Sequence, residues 1–388
     1  MQHWLRKSGW RLLPGILAVG LTLGLARAGI FQPFEHGVYR LLFRLRGEQP
    51  WDEQVAVIEI DEASLEKIGP FPWPRSYYTD LLQQLTPARP SVIAFDILFA
   101  GPSDDDTDLA RAMANHGNVV LATAWDGLGA VIGPNADVMK GAIATGHIHH
   151  QADPDGITRF YQAKVNGTMA LSIQAVEHHS QKFASNISVP ISKQALWLNW
   201  RGKSHTATRY SFSDVLLGKI PAEKFTNKII FIGFTGGSLD TMTTPYNLNI
   251  PTAGVYQHIV AANNLLSHNH LKRPRISLMS FFLLIASTIF GYSLFSNSFT
   301  RQTFSCLSVV VIWGVTVVIA FNNDYWLPIA APLAATVLTA NFVKLSEGSR
   351  PLKKVSLSSE MRAVGHTLPL AITPSLGNAS STSKRYQL

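Results

Sequence analysis

The sequence predicts an α/β domain, with a parallel-rich sheet and an antiparallel hairpin excursion, joined to helical transmembrane segments. Between residues 55 and 266, short β-branched runs alternate with amphipathic segments, a pattern typical of a parallel sheet with helices on both faces. Three long uncharged runs follow residue 275, and another apolar run lies near the N-terminus. Only 15% of the 388 residues are charged, against about 25% in soluble domains. Part of the chain is therefore expected to lie in a membrane.

Four apolar runs are long enough to cross a bilayer as helices, which takes about 20 residues. They cover residues 12–31, 276–295, 304–321 and 326–343. The first run follows a basic segment and has the pattern of a signal sequence. Ala26-Arg27-Ala28 fits a cleavage site, but apolar residues resume at Ile30, which favours an uncleaved anchor.

Basic residues mark the cytoplasmic ends of membrane helices. They place residues 1–11 and the Ser/Thr-rich tail, residues 344–388, in the cytoplasm, and this tail is predicted to be disordered. Residues 32–270 then form an extracytoplasmic domain of a multi-pass protein in the plasma (inner) membrane. Lys272, Arg273 and Arg275 contradict the rule, because this topology puts them outside.

The net charge of +8 comes from the membrane flanks. Residues 47–270 carry 15 basic and 21 acidic side chains, a net charge of −6. A domain that binds nucleic acid would be basic, so we expect no nucleic-acid partner. The single cysteine, Cys306, excludes a disulfide scaffold and a cysteine zinc site.

The elements of the exported domain follow from hydrophobic periodicity. Strands are predicted at 55–60, 92–97, 119–123, 195–200 and 229–232, and helices at 75–86, 108–116, 168–179 and 253–266. Asp155-Gly156 stands between two partly alternating runs, which predicts a hairpin turn there. Alternation would put His147 and His149 on one face of that hairpin.

Several segments together resemble the type-2 CHASE domain, an extracytoplasmic sensory module of bacterial signalling receptors. The match covers about residues 36–270, and the family's three following membrane helices are also present. The segments that carry the resemblance are residues 39–47, Ile58-Glu-Ile-Asp-Glu-Ala-Ser64, Gly69-Pro-Phe-Pro-Trp-Pro-Arg75, residues 94–99, Asp153-Pro-Asp-Gly156 with Arg159, residues 228–233, Asp240 with Thr244-Pro245, and residues 254–258. The resemblance implies a sensory role. The family usually adds a cytoplasmic cyclase or kinase, but only 45 residues follow Val343, so we expect no output domain here.

Ligands of parallel α/β sheets bind beyond the carboxyl ends of the strands. Asp61 follows the first predicted strand and Asp96 lies near the end of the second. Their carboxylates, with Arg75, form our main candidate ligand site. The alternative is structural: Asp61 caps the helical turn of residues 64–67, and Asp96 pairs with Arg75 or with backbone amides.

Three weaker candidates lie elsewhere. Gly236 and Gly237 follow a strand and precede Asp240, so their amides are candidate anion ligands, although a tight turn explains the glycines equally. The histidines 147, 149, 150, 178 and 179 lack partners at a recognised zinc spacing. The acidic runs 104–106 and 153–155 do not complete a calcium loop. We therefore expect no metal site, and the sequence names no cofactor.

The sequence thus predicts a membrane-anchored sensory or interaction protein that detects an envelope signal and transmits it to a partner. The signal would be a small molecule or a protein, and the partner a membrane or signalling protein or a second copy of the chain. A constitutive envelope scaffold is the alternative. A hydrolase using Asp61 and Asp96 is a third hypothesis, but no nucleophile motif supports it, so we expect no enzyme.

Overall fold

The computed structural model describes residues 9–184, 195–237, 240–247, 251–295 and 297–348. Most of the predicted cytoplasmic tail, from residue 349 on, lies outside the described residues.

The chain alternates helices and strands in the order that the sequence predicted. The helices are α1 Leu13–Arg27, α2 Gln32–Arg46, α3 Glu62–Ile68, α4 Ser76–Leu85, α5 Asp106–His116, α6 Ala136–Met139, α7 Leu171–Lys182, α8 Phe212–Leu216, α9 Val255–Leu266, α10 Ile276–Leu294, α11 Phe299–Asn322 and α12 Ala330–Gly348. The strands are β1 Val55–Ile60, β2 Val92–Asp96, β3 Val119–Trp125, β4 Val131–Ile132, β5 Ala144–His147, β6 Phe160–Gln162, β7 Lys164–Val165, β8 Thr168–Met169, β9 Ala195–Trp197, β10 Arg209–Ser211, β11 Ile229–Phe234, β12 Thr241–Met242 and β13 Thr252–Ala253.

The main sheet has seven strands in the order β10-β1-β11-β2-β3-β4, with β5 also paired to β3. All of its pairings are parallel except β3 with β4. The central strands are mainly apolar and buried on both faces, with Glu59 in β1 and Asp96 at the end of β2 as their acidic residues. The predicted parallel-rich α/β fold class is confirmed, and the carboxyl ends of β1, β11 and β2 meet at one edge.

The sheet separates two apolar layers because side chains alternate between its faces. On one face, Ile58 and Ile60 pack with helices α4, α5 and α8. On the other face, Val55 and Val57 pack with α7 and α9. This second layer also contains Tyr39 and Phe43 of α2, Phe321 of α11, and Trp326. The domain and the membrane-proximal helices therefore share one core.

The antiparallel hairpin forms at a different turn from the one we predicted. Asp153–Gly156 do make a tight turn, with a Gly156 N–H to Asp153 C=O bond of 2.8 Å. However, β5 before this turn joins the main sheet in parallel, and β6 after it pairs with β9. The hairpin is β7–β8, turning at Asn166 and Gly167, both with positive φ. Asn-Gly is the strongest two-residue hairpin pattern. In this domain the hairpin forms at Asn166-Gly167 and not at Asp155-Gly156.

Three helices in the described part of the chain are long and apolar enough to cross a membrane: Gly9–Arg27, Ile276–Leu294 and Phe299–Asn322. The predicted run 326–343 becomes helical only at Ala330. Helices α1 and α10 pack closely at Gly15, where a Cβ atom would lie 2.5 Å from the Ser287 carbonyl oxygen. At the end of this bundle away from the domain, the rings of Trp10 and Phe295 are 4.8 Å apart.

The opposite ends of α11 and α12 pack on the domain. The ring of Phe321, near the end of α11, lies 4.9 Å from that of Phe43. Trp326, in the turn that follows, lies 4.7 Å from Tyr39 by ring centroids. We call this contact region, made by α2 and residues 321–330, the membrane junction.

Lys272 and Arg273, two of the three basic residues at odds with the predicted topology, lie at this junction. The guanidinium of Arg273 lies between two indoles, 4.7 Å from the centroid of Trp197 and 4.4 Å from that of Trp326. The Lys272 backbone exchanges hydrogen bonds with Asp324 and Trp326, at 2.7 and 2.9 Å. Lys272 and Arg273 are thus part of the domain's contact with the turn between α11 and α12.

Candidate functional site

Asp61 at the end of β1 is the N-cap of α3. Its carboxylate accepts hydrogen bonds from the Ser64 N–H at 2.9 Å and from the Ser211 hydroxyl at 2.9 Å. The Ser64 hydroxyl donates to the same oxygen. The side chain therefore has the capping role that the structural alternative predicted.

Arg75 does not join Asp61 or Asp96 at a common rim. It forms an ion pair with Asp106 and donates to the Gly101 carbonyl. Its guanidinium also stacks over Phe99, 5.2 Å from the ring centroid. The expected pairing of Asp96 with Arg75 is wrong, because the start of α5 presents Asp106 to Arg75 instead.

The amides of the turn after β11 are occupied by protein acceptors. The N–H groups of Thr235 and Gly236 donate to the Ile60 carbonyl, at 3.0 and 2.9 Å. The Gly237 N–H donates to Glu62 Oε1 at 3.0 Å. A Cβ atom on Gly236 would lie 2.7 Å from Leu65, so this glycine allows a close approach between the turn and α3.

Asp96 and Asp240 come together at the carboxyl end of β2. The Asp96 side chain is only 6% exposed, and none of the described residues forms a hydrogen bond with its carboxylate. Burial, with a smaller effect of the Asp240 charge, raises the pKa of Asp96 to about 8. Burial also raises the pKa of Asp240, against the attraction of His150. Both carboxyl groups are therefore protonated more readily than an ordinary aspartate.

His258, on α9, faces Asp96 from the other side. Its Nε2 atom lies 3.9 Å from Asp96 Oδ1, and its Nδ1 atom lies 2.6 Å from the Tyr161 hydroxyl. Burial lowers the pKa of His258 to about 3, so the ring is neutral near pH 7. The Tyr161 oxygen accepts from the Ser172 N–H at 3.3 Å. If Tyr161 donates to Nδ1, the imidazole N–H is on Nε2 and faces Asp96.

Gly233 positions this group of side chains. It lies opposite Asp96 in the sheet register. A Cβ atom on Gly233 would lie 2.7 Å from the Cβ of Val255 at the start of α9. The missing side chain lets α9 approach the end of β11, and one turn later α9 presents His258 to Asp96.

His147 and His150 lie near this group, and the described residues form no metal site with them. His147 is buried and stacks on Tyr161, whereas His149 is exposed, so these two do not share a face. His150 Nε2 lies 2.6 Å from the Thr158 hydroxyl oxygen. His179 lies elsewhere, with Nδ1 2.7 Å from Ser91 Oγ. In the described ranges, no three His, Cys, Asp or Glu side chains could hold a metal ion together.

We call Asp96, Asp240, His258, Tyr161 and His150 the polar cluster. It joins two acids of raised pKa to a neutral imidazole and a buried phenol, an arrangement that can hold or release a proton. Sequence reasoning found Asp96 and Asp240 but missed His258 and Tyr161. The Gly-x-x-x-His pattern of residues 254–258 contributed only to the family resemblance. Its proximity to β2 arises from the packing of α9 on the sheet, which the local sequence does not show.

The comparisons agree with this architecture. The family model of the CHASE2 domain matches residues 16–296, most of the chain. The chain belongs to the CHASE2 family. The match begins within α1 and ends just after α10, and it includes the whole polar cluster. Neither the search of curated proteins nor that of solved structures gave a match.

Membership supports the sensory interpretation of the sequence. CHASE2 is a sensory, non-catalytic, extracytoplasmic domain family, and the helices α1, α10 and α11 associate this CHASE2 protein with a membrane. The resemblance that the motifs indicated is thereby confirmed.

Proposed function

We propose that this CHASE2 protein is a multi-pass sensor of the inner membrane. Its polar cluster responds to an envelope signal. The membrane junction then passes the response through the helices to a partner. Asp96 is the responsive group, because a buried carboxyl without hydrogen bonds gains most from a change in its surroundings. A small molecule or protein that brings N–H donors or positive charge to Asp96 would stabilise its ionised form.

The proposed orientation has the N-terminus inside and the domain outside. Basic residues precede α1, and Trp10 lies beside Phe295 at the end of the bundle far from the domain. The turn after α11 lies at the domain end, against α2. These contacts support an alternating passage of α1, α10, α11 and α12 across the bilayer.

The observation that carries the proposal is one short segment that contacts both the polar cluster and the junction. Tyr161 bonds to His258 in the cluster. Two residues earlier, the buried guanidinium of Arg159 stacks on Tyr39 of α2, 4.8 Å from its ring centroid. A shift of this segment in response to Asp96 would therefore move a side chain packed against Trp326. Coupling along such a path requires an experimental test.

The test uses the full chain in lipid nanodiscs, because the domain shares its core with residues of α11. In a Cys306→Ser background, a fluorescent label on Asn322→Cys reports on the junction while pH is varied from 6 to 9. Protons are the probe of the cluster. We expect a change in label emission centred near pH 8, where Asp96 ionises.

Two variants decide the origin of the change. Asp96→Asn should abolish it, whereas Asp108→Asn, which alters an exposed acid paired with Arg111, should leave it intact. A cluster that titrates without any response at the junction would refute the sensor and favour a constitutive scaffold.

A further inference from the structure

Helix α2 has two apolar faces, and the described part of the chain covers one of them. Tyr39, Leu42 and Phe43 are buried in the shared core. Three other large apolar side chains of the helix are exposed: Phe34 by 53%, Leu41 by 51% and Leu45 by 62%. Positions 34, 41 and 45 are seven and four residues apart, so they lie on one side of the helix. We call them the outer face of α2.

Helix α2 runs across the end of α11 and the start of α12. Glu35 Oε1 accepts hydrogen bonds from the Ile329 and Ala330 amides, at 2.9 and 2.7 Å, at the start of α12. One turn later Tyr39 contacts Trp326, and after another turn Phe43 contacts Phe321 at the end of α11. Eight residues of helix, about 12 Å, thus follow the level at which α11 ends and α12 begins.

The surroundings at that level are the bilayer interface. Helix α2 begins five residues after α1 ends at Arg27, so it continues directly from a membrane span. Arg40 and Arg44 lie beside the outer face, and within the described part of the chain neither forms an ion pair. Apolar side chains flanked by cationic ones are typical of helices that lie in the interface.

We propose that α2 is an interfacial helix whose outer face inserts into the extracytoplasmic leaflet, with Arg40 and Arg44 at the phosphates of anionic phospholipids. The inference rests on the membrane spans of the proposed function, but not on sensing by the polar cluster. The helix thereby couples the domain to the lipid surface as well as to α11 and α12. The sensor becomes responsive to the composition of the leaflet that holds α2.

Depth-dependent quenching tests the proposal in nanodiscs that contain one copy of the chain. In the Cys306→Ser background, a bimane label is placed on Leu41→Cys. Two controls bracket it: Leu128→Cys, 97% exposed at the β3–β4 turn, and Ile312→Cys, 65% exposed within α11. Phospholipids with a nitroxide on the headgroup are the quenchers. We expect at least 5-fold more quenching at Leu41→Cys than at Leu128→Cys, and deeper-placed nitroxides should quench Ile312→Cys more strongly.

Quenching of Leu41→Cys at the level of Leu128→Cys would overturn the proposal. Protection of the label only in discs with two copies would also overturn it, because the outer face would then bind a second copy. The arginine contacts are tested by adding phosphatidylglycerol, which should increase quenching in the parent, whereas Arg40→Gln/Arg44→Gln should remove the increase. Equal quenching in both lipids would refute the phosphate contacts. The measurement is made at one pH, so failure of sensing does not affect it.

Discussion

Asp61 and Asp96 are the same residue type at the same edge of one sheet, but their surroundings differ. Asp61 accepts from one backbone amide and two serine hydroxyls, and it begins a helix. The Asp96 side chain is 6% exposed, lies 3.9 Å from His258, and has no hydrogen bond among the described residues. The strand β11 alone separates the two positions.

The comparison distinguishes two kinds of carboxylate in this domain. A structural carboxylate has hydrogen-bond partners within the protein, whereas the candidate site residue is buried without them. A buried polar group normally has its hydrogen bonds supplied by the fold, and an exception requires an explanation. Asp61 belongs to the first class. Asp96 belongs to the second, and the raised pKa of its carboxyl is the physical consequence.

Arg159 is a buried cation whose partners are two carboxylates of the protein. We expect substitution of Arg159 to lower the free energy of unfolding more than any other change considered below. Its guanidinium binds Asp153 at 2.8 Å and Asp155 at 2.6 Å, and its side chain is fully buried. Arg159→Leu leaves two acids without a cation, so the free energy of unfolding should fall by about 3 to 5 kcal/mol. Thermal melting of the full chain in detergent measures this.

The matched control is Arg111→Leu, which removes an exposed cation paired with Asp108. It should change the free energy of unfolding by less than about 0.5 kcal/mol. If the two substitutions had equal effects, a buried ion pair would contribute no more to the stability of this protein than an exposed one.

Asp61→Ala should have the next largest effect. The substitution removes the cap of α3 and leaves the hydroxyls of Ser64 and Ser211 without their acceptor, so we expect a loss of about 2 kcal/mol. Asp61→Asn retains an acceptor oxygen and should cost less. Glu66→Ala, an exposed change on the same helix, is the control. A melting temperature of Asp61→Ala equal to that of Glu66→Ala would contradict the assignment of Asp61 to architecture.

Asp96→Asn should have the smallest effect on stability, and its effect should depend on pH. The folded pKa of Asp96 is raised to about 8 from an ordinary value of 3.8. Its protonated form therefore adds stability that is lost as pH rises through 8. The pKa of His258 is lowered to about 3, so its neutral form adds stability that is complete only above the unfolded pKa of 6.5. Between pH 6.5 and 8.5, ionisation of Asp96 should cost about 1 to 2 kcal/mol of unfolding free energy. This cost is read as the difference between the parent and Asp96→Asn, because several histidines of lowered pKa add stability over the same range in both proteins.

Denaturant unfolding at several pH values measures this loss, and Asp96→Asn should remove most of it. A variant that keeps the full pH dependence would show that another group titrates in this window. A large loss of stability at pH 6.5 would instead place Asp96 with Asp61 among the structural carboxylates.

Four strands of the main sheet, β1, β2, β3 and β11, were predictable because local apolar runs encode them. Residues 55–60 and 229–232 are strands in both the prediction and the structure, and Glu59 is the single polar residue in these two segments. The short strands β4, β5 and β10 were not predicted. The hairpin was misplaced because Asp155-Gly156 and Asn166-Gly167 are both turn patterns, and only pairing partners distinguish them. The capping of α3 was also local, because Asp61 and Ser64 are three residues apart.

Local sequence patterns encode the apolar spans, the alternation of strands and helices, the family motifs and the acidic residues at the strand ends. Each of these depends on neighbours within a few residues of the chain. Three contacts depend instead on how distant elements pack: Arg75 pairs with Asp106, His258 faces Asp96 across 162 positions of sequence, and α2 crosses the end of α11 and the start of α12. The reason is physical: a polar side chain binds whichever partner the packing of distant elements brings within hydrogen-bond distance, and no local pattern encodes that choice.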